Sequence, residues 1–441
     1  MEEKKRSILN ERSSWVVGSI ILLVIVIILA QQRGQGVFGG NNTATQIYFV
    51  DNISQAHSEL INRFNAEYSG RIEVVPVDLP FEKFSTNERK QLLAKSLRSK
   101  SDRIDVFAID LIWGARFARW AEPLNPYFTI YERNKSLEVA LESCYYKEDL
   151  IAAPFYIDVG LMYFRTDLLK KFPGGDSLAH KLRQSLTWSK FIELSNKMPQ
   201  MRPFYAFSAK NFEGLVCSFM EPLLSQNPEI FNRDSIQLDT PEARKSLQML
   251  VDLVHKYHLA PKEITRFDEV QTYFYALDND IPFFRGWPGL IRHYRNSPYS
   301  EKLQFLEPCA LPHLDGKKPA SVFGGWNLMV SRFSTKKREA VEFIKFVLRE
   351  ESQRLLFEQG GYIPISKSVY QDSVYFSEHQ DLKYYHQLLK NGIHRPFLVN
   401  YTKISDVLSY YIQRAIKNEI SVEEALRLAT RDINSQTMRI N

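Results

Sequence analysis

Cysteine is scarce in this 441-residue chain: only Cys144, Cys217 and Cys309 occur, far apart. An odd, sparse count argues against a disulfide framework. The absence of CxxC or Cys/His ligand spacing argues against structural zinc. The three thiols are expected to be buried apolar groups. Enzyme signatures are missing too: there is no GxSxG, no HExxH, no P-loop and no GxGxxG after a strand. No catalytic group, cofactor or metal is therefore expected. Excess charge of one sign is also small, with 57 Lys and Arg against 51 Asp and Glu. No basic stripe with interleaved aromatics occurs, so a nucleic-acid partner is not expected. The tightest basic run, Lys336, Lys337 and Arg338, reads as the solvated start of a helix. No internal repeat or low-complexity domain is present.

Aromatic residues are abundant: 29 Phe, 22 Tyr and 6 Trp. Most must be core. A surplus of Tyr and Trp is also what a carbohydrate cleft uses, because flat rings cover the apolar C–H faces of sugars. The length exceeds what one hydrophobic core supports, so two lobes are expected.

The address is written at the N-terminus. Lys4, Lys5, Arg6 and Arg12 precede WVVGSIILLVIVIILA, and residues 13–32 carry no charge. Twenty helical residues span about 30 Å, the thickness of bilayer hydrocarbon. Only Arg33 is basic just beyond the run, so residues 1–14 are expected in the cytoplasm and the body outside. The segment 15–32 reads as an uncleaved anchor, with a cleaved signal peptide as the competing reading. Bulky Ile28 lies two positions before Ala30, which favours the anchor, and no cysteine follows to carry a lipid. Residues 33–45 are rich in Gly, Asn and Gln and read as a flexible tether.

In the body, short apolar runs alternate with helical patterns. Residues 47–50, 71–77, 104–110, 151–155, 159–165, 280–285, 304–312 and 321–331 read as strands. Residues 54–69 and 88–100 read as helices, as do segments opening at Thr187, at Ser334 or Thr335, and at Ser421 with its capping-box partner Glu424. Such alternation indicates an α/β fold with parallel-leaning sheets.

Five aromatic, acidic and glycine-rich clusters fall at the ends of these strands. They are Asp110-Leu-Ile-Trp113, the run from Pro154 through Tyr156, Asp158 and Gly160 to Arg165, Phe284-Arg-Gly-Trp287-Pro288, Gly324-Gly325-Trp326-Asn327, and His394-Arg395-Pro396 with Tyr401. In α/β sheets, ligands bind outside the carboxyl ends of strands. The chemistry suits sugars: a carboxylate accepts from vicinal hydroxyls, Arg donates in a fork, Trp offers a flat plate, and Gly lets backbone approach. Each residue also has a plainer use, as cap, hinge bond, core ring or surface ion pair. Tyr163 and Phe164 are expected in the core.

These segments resemble family 1 extracellular solute-binding proteins of ABC importers, particularly the trehalose/maltose-binding branch. IDVFAIDLIW is similar to that family's strand-plus-DxxW segment, and APFYIDVGLMYFRTDLLKK to its P-x-Y-x-D-x-G segment. TWSKF, NFEGLVCSFMEPLLSQN, FFRGWP, FGGWNLMVS and FIKFVLREESQRLLFEQGGYIPISKSVY follow in order, over roughly residues 46–410. The resemblance implies a two-lobed, hinged periplasmic-binding-protein fold of type II, each lobe with a mixed sheet, preceded by the N-terminal transmembrane helix. It implies lobe 1 from residues 46–156 with 311–347, and lobe 2 from 157–310 with 348–441. It also implies ligand contacts at Asp110, Tyr156, Asp158, Trp287, Gly325, Trp326 and Arg395, and at Arg89, whose flanks match poorly. The turn Asp51-Asn52 departs from the family's Gly/Ser-rich pattern at the first subsite. The expected partners are a carbohydrate, namely a disaccharide or short oligosaccharide of α-glucoside type, and the permease subunits of an ABC importer, the protein itself being a monomer. Two other classes stay open: a sensor presenting sugar to a membrane signalling protein, and a glycoside-acting enzyme using Asp110 and Asp158.

Overall fold

A computed structural model describes residues 44–435, apart from 82, 173, 233 and 234. The basic N-terminus, the anchor or signal segment and the tether through residue 43 lie outside the described residues. Among the described residues, no helix is long and apolar enough to cross a membrane.

The strands are β1 (Thr45–Asp51), β2 (Ile72–Asp78), β3 (Val106–Asp110), β4 (Tyr145–Tyr146), β5 (Asp149–Leu150), β6 (Ala153–Val159), β7 (Leu161–Arg165), β8 (Tyr205–Ala206), β9 (Phe283–Gly286), β10 (Leu306–Cys309), β11 (Ser321–Val330) and β12 (Gly392–Ile393). The first sheet runs β12-β11-β3-β1-β2, with β6 also paired to β11. The second runs β10-β7-β9-β8, and β4 and β5 form a small separate hairpin. Among the described strands, β1 pairs parallel with β2 and β3, β11 with β12, and β8 with β9. The sheets are thus mixed rather than parallel-leaning, because β11 returns antiparallel against both β3 and β6.

Local sequence accounts for the elements around the first sheet. Ser54 caps the helix Gln55–Glu67 through a box closed by His57, and Leu60, Ile61 and Phe64 face inward at helical spacing. Ser85 and Glu88 form a second box at the helix Thr86–Arg98. Phe49 of β1 packs on Phe343 of the helix Lys337–Val347, with ring centroids 5.2 Å apart, and Phe64 meets the same ring edge-on. In the second sheet, Phe283 of β9 packs between Phe191 and Phe204, with centroids at 5.1 and 4.8 Å. Tyr163 and Phe164 are fully buried on β7, as expected, and all three cysteines are buried free thiols.

The two strands expected at 151–155 and 159–165 divide differently. β6 stays paired to β11 through Val159, and the chain passes to the second sheet at Gly160. The passage therefore lies beyond the division expected at 156–157, and Asp158 stands on the first sheet. From the C-terminal segment, β12 joins the same sheet alongside Ser321 and Val322. The helix expected to open at Ser334 or Thr335 begins at Lys337; the Ser334 hydroxyl instead donates to Asp105, at 2.5 Å.

Candidate functional site: an aromatic and acidic cleft

β11 is the centre of the site. Trp326 stands opposite Asp110 on β3 and Tyr156 on β6, and Gly324 stands opposite Asp158. Directly paired residues point to one face, and so do residues two apart along a strand. Asp110, Tyr156, Asp158, Gly324 and Trp326 therefore share one face of the first sheet. That face lines a cleft of about 1040 Å³. Trp287, just after β9, closes it from the second sheet, and the helices Glu213–Leu224 and Glu269–Asp278 add Glu213, Glu269 and Tyr273.

Of the eight residues expected from sequence, seven line this cleft: Asp110, Tyr156, Asp158, Trp287, Gly325, Trp326 and Arg395. Arg89 does not. Its guanidinium lies behind Trp326, 4.3 Å from that ring's centroid and 4.2 Å from that of Phe81, and one nitrogen donates to Asp51 at 2.7 Å. The turn that departs from the family pattern explains this arrangement. Asp51 supplies a buried carboxylate that draws Arg89 inward, and Asn52, which does line the cleft, accepts from the Phe81 amide at 3.1 Å.

Arg395 is buried and already engaged. It donates to Glu213 at 2.6 Å, to Asp110 at 3.0 Å and to the Phe323 carbonyl at 3.3 Å. Glu213 also accepts from Tyr401 at 2.6 Å and from the Ser405 hydroxyl. Burial raises the Asp110 pKa; Arg395 opposes this, and Glu213 reinforces it. Two carboxylates thus share one guanidinium, and the set is left with an acidic surplus.

Asp158 has no such partner. Its Oδ1 is buried without a hydrogen bond, and burial, then repulsion by Asp110, pushes its pKa up to about 8. Glu269 is pushed up to about 7 by burial, although the Trp287 indole N–H donates to it. Tyr156 is raised well above a free phenol, chiefly by burial, and its ring packs 4.5 Å from that of Tyr362, another lining residue.

The two glycines of β11 have different duties. Gly325 has φ +122°, and a Cβ there would fall 2.5 Å from the Tyr156 carbonyl oxygen, so its constraint comes from the sheet. It is Gly324 that makes room for an aromatic plate: a Cβ there would come 2.7 Å from the Trp287 ring. Sequence reasoning missed Glu213, Glu269 and Tyr362. Glu213 lay inside the quoted segment NFEGL, but its partners Arg395 and Tyr401 lie more than 180 positions away. Among the described residues, no group of His, Cys, Asp and Glu is arranged to hold a metal ion.

Two lobes built on separate mixed sheets, enclosing a cleft of aromatic rings and carboxylates, define a solute-binding protein of the hinged periplasmic type. The chain belongs to the bacterial extracellular solute-binding protein family, whose model matches residues 59–383. It is 25% identical over 350 residues to a probable ABC transporter-binding protein of Deinococcus radiodurans, covering 78% of this chain and 82% of that one. It superimposes on maltose-bound MalE3 of T. maritima with a TM-score of 0.79 and 27% identity, over 88% of this chain and 99% of that one. A solute-binding protein from Agrobacterium radiobacter K84, solved with ribitol, shares the fold at a TM-score of 0.70 and 17% identity, over 88% and 98% of the two chains.

Proposed function

We propose that the protein reversibly binds a disaccharide or short oligosaccharide of α-glucoside type in this cleft and delivers it to the permease of an ABC importer. The observation that carries this reading is one cleft lined both by two Trp residues from different sheets, Trp287 and Trp326, and by the carboxyls of Asp110, Asp158 and Glu269. Indole faces cover sugar C–H surfaces while the acids accept hydroxyl hydrogens. The maltose bound to the T. maritima relative supports the sugar class. In this reading Asp110, Tyr156, Asp158, Trp287, Trp326 and Arg395 contact ligand, Gly325 shapes the strand, and Arg89 positions Trp326.

The lobes are assigned by sheet, with a hinge running through Gly160 and through the connection between β10 and β11. Ligand contacts that improve on closure shift the balance toward the closed form, which docks on the permease. Such a protein works on the outer face of the cytoplasmic membrane, held by the N-terminal segment or released from it. Calorimetric or Trp-fluorescence titration with a panel of di- and oligosaccharides tests the reading. Saturable binding of at least one α-glucoside is expected, and silence across the panel overturns it.

A further inference from the structure

We infer that the cleft selects saccharides bearing a basic amine over their neutral counterparts, with Asp158 receiving the ammonium group. This rests on the sugar-binding reading above and specifies its substrate class.

Among the described residues, one guanidinium lines the cleft, that of Arg395, two more, of Arg89 and Arg285, pack against its Trp residues, and each is committed. Arg395 is held by Asp110 and Glu213, Arg89 by Asp51, and Arg285 by Glu221 in a two-pronged contact at 2.6 and 3.1 Å. Groups electrostatically coupled to Asp158 include Asp110 on β3, Tyr156 on its own strand, Tyr163 on β7, Tyr362, and Tyr385 of the helix Gln380–Leu389, each of them an acid or a phenol. Glu269, on the other side, adds a second carboxyl to the cleft, and His293 also lines it. The carboxyl of Asp158 faces this space with a buried, unpartnered oxygen.

Asp158 is half-buried with one carboxyl oxygen fully buried and unpartnered, and the cost of desolvating that oxygen beside Asp110 favours the protonated form in the free protein. A neutral sugar leaves that balance as it stands. An ammonium brings the missing counter-charge: Asp158 ionises, its proton passes to solvent, and an N–H donates to the carboxylate oxygen. The surrounding rings of Tyr156 and Tyr362 favour a cation further, because their faces are electron-rich, whereas the Trp287 ring already carries the Arg285 guanidinium at 4.6 Å.

Matched pairs test this: trehalose against its 2-amino analogue, and maltose against its 2-amino analogue, titrated calorimetrically into the full chain in buffers of different ionisation enthalpy. At about pH 7, the amine member of each pair should bind about tenfold more tightly, because a partly buried ammonium–carboxylate pair outweighs the roughly tenfold cost of ionising, one unit below its pKa, a group pushed up to about 8. About one proton should be released per amine bound, and none with the neutral sugar. Asp158→Asn should lower the amine-to-neutral affinity ratio and abolish the proton release. Equal or tighter binding of the neutral partner, or a ratio unchanged in the variant, overturns the proposal while leaving sugar binding intact. Failure of every saccharide, amine or neutral, overturns the functional reading itself and this proposal with it.

Discussion

Arg89 and Asp51 meet at 2.7 Å with both side chains almost fully buried. Removing one partner of such a pair leaves an uncompensated buried charge, which costs about 3–5 kcal/mol. Arg89→Met should therefore lower stability by about that much in urea unfolding, and adding Asp51→Asn should restore part of the loss. On the proposed reading, Trp287 acts on ligand instead. Trp287→Ala should weaken binding of the best saccharide by about 1 kcal/mol or more beyond lost area, read by titration. Asp158 ties stability to pH. Its pKa rises from 3.8 to about 8 on folding, so between those values the native state holds a proton that the unfolded chain has released. Its contribution is fully present below about pH 4 and is lost as the pH climbs through 8. Asp158→Asn should therefore melt progressively higher relative to the parent across this window, by about 2 °C or more at the alkaline end in a thermal-shift series.

At the level of elements, the site depends on β11. It is antiparallel to β3 on one edge and to β6 on the other, and this double pairing places Asp110, Tyr156 and Asp158 on the Trp326 face. Such close pairing needs Gly325, whose φ of +122° and proximity to the Tyr156 carbonyl exclude a side chain. Gly325→Ala should lower stability by about 1–3 kcal/mol from backbone strain and overpacking. It should also weaken sugar binding, since β6 must shift; chemical denaturation and titration of one preparation check both effects.

Taken as a whole, the molecule lines its cleft from both of its larger sheets, which a few crossing segments join. A ligand held from both sides favours closure, and a ligand that binds only the folded state stabilises it by about 2.7 kcal/mol at one hundred times its Kd. Saturating saccharide should therefore raise the unfolding midpoint and reduce the radius of gyration in small-angle X-ray scattering. Stabilisation with no change in radius would place the whole site on one lobe.

Much of this was legible in residue order. Strand ends could be read because apolar runs of β-branched and aromatic residues stop at polar or glycine residues, so Asp110, Trp287 and Trp326 were found as cleft residues. Glu213 and Glu269 were not, because a lone acid on a helix looks the same whether it faces solvent or a guanidinium from a distant segment. Arg89 was misplaced for a related reason: its identity announces a donor, but only the fold shows that Asp51 claims it and that Trp326 screens it from the cleft. The sequence by itself determined the class of fold, the aromatic and acidic make-up of the site and the order of its segments, since these follow from local periodicity and residue type. Tertiary structure alone decided which charges cancel. Pairing between groups up to 285 positions apart leaves Asp158 without a partner, and burial then decides its charge.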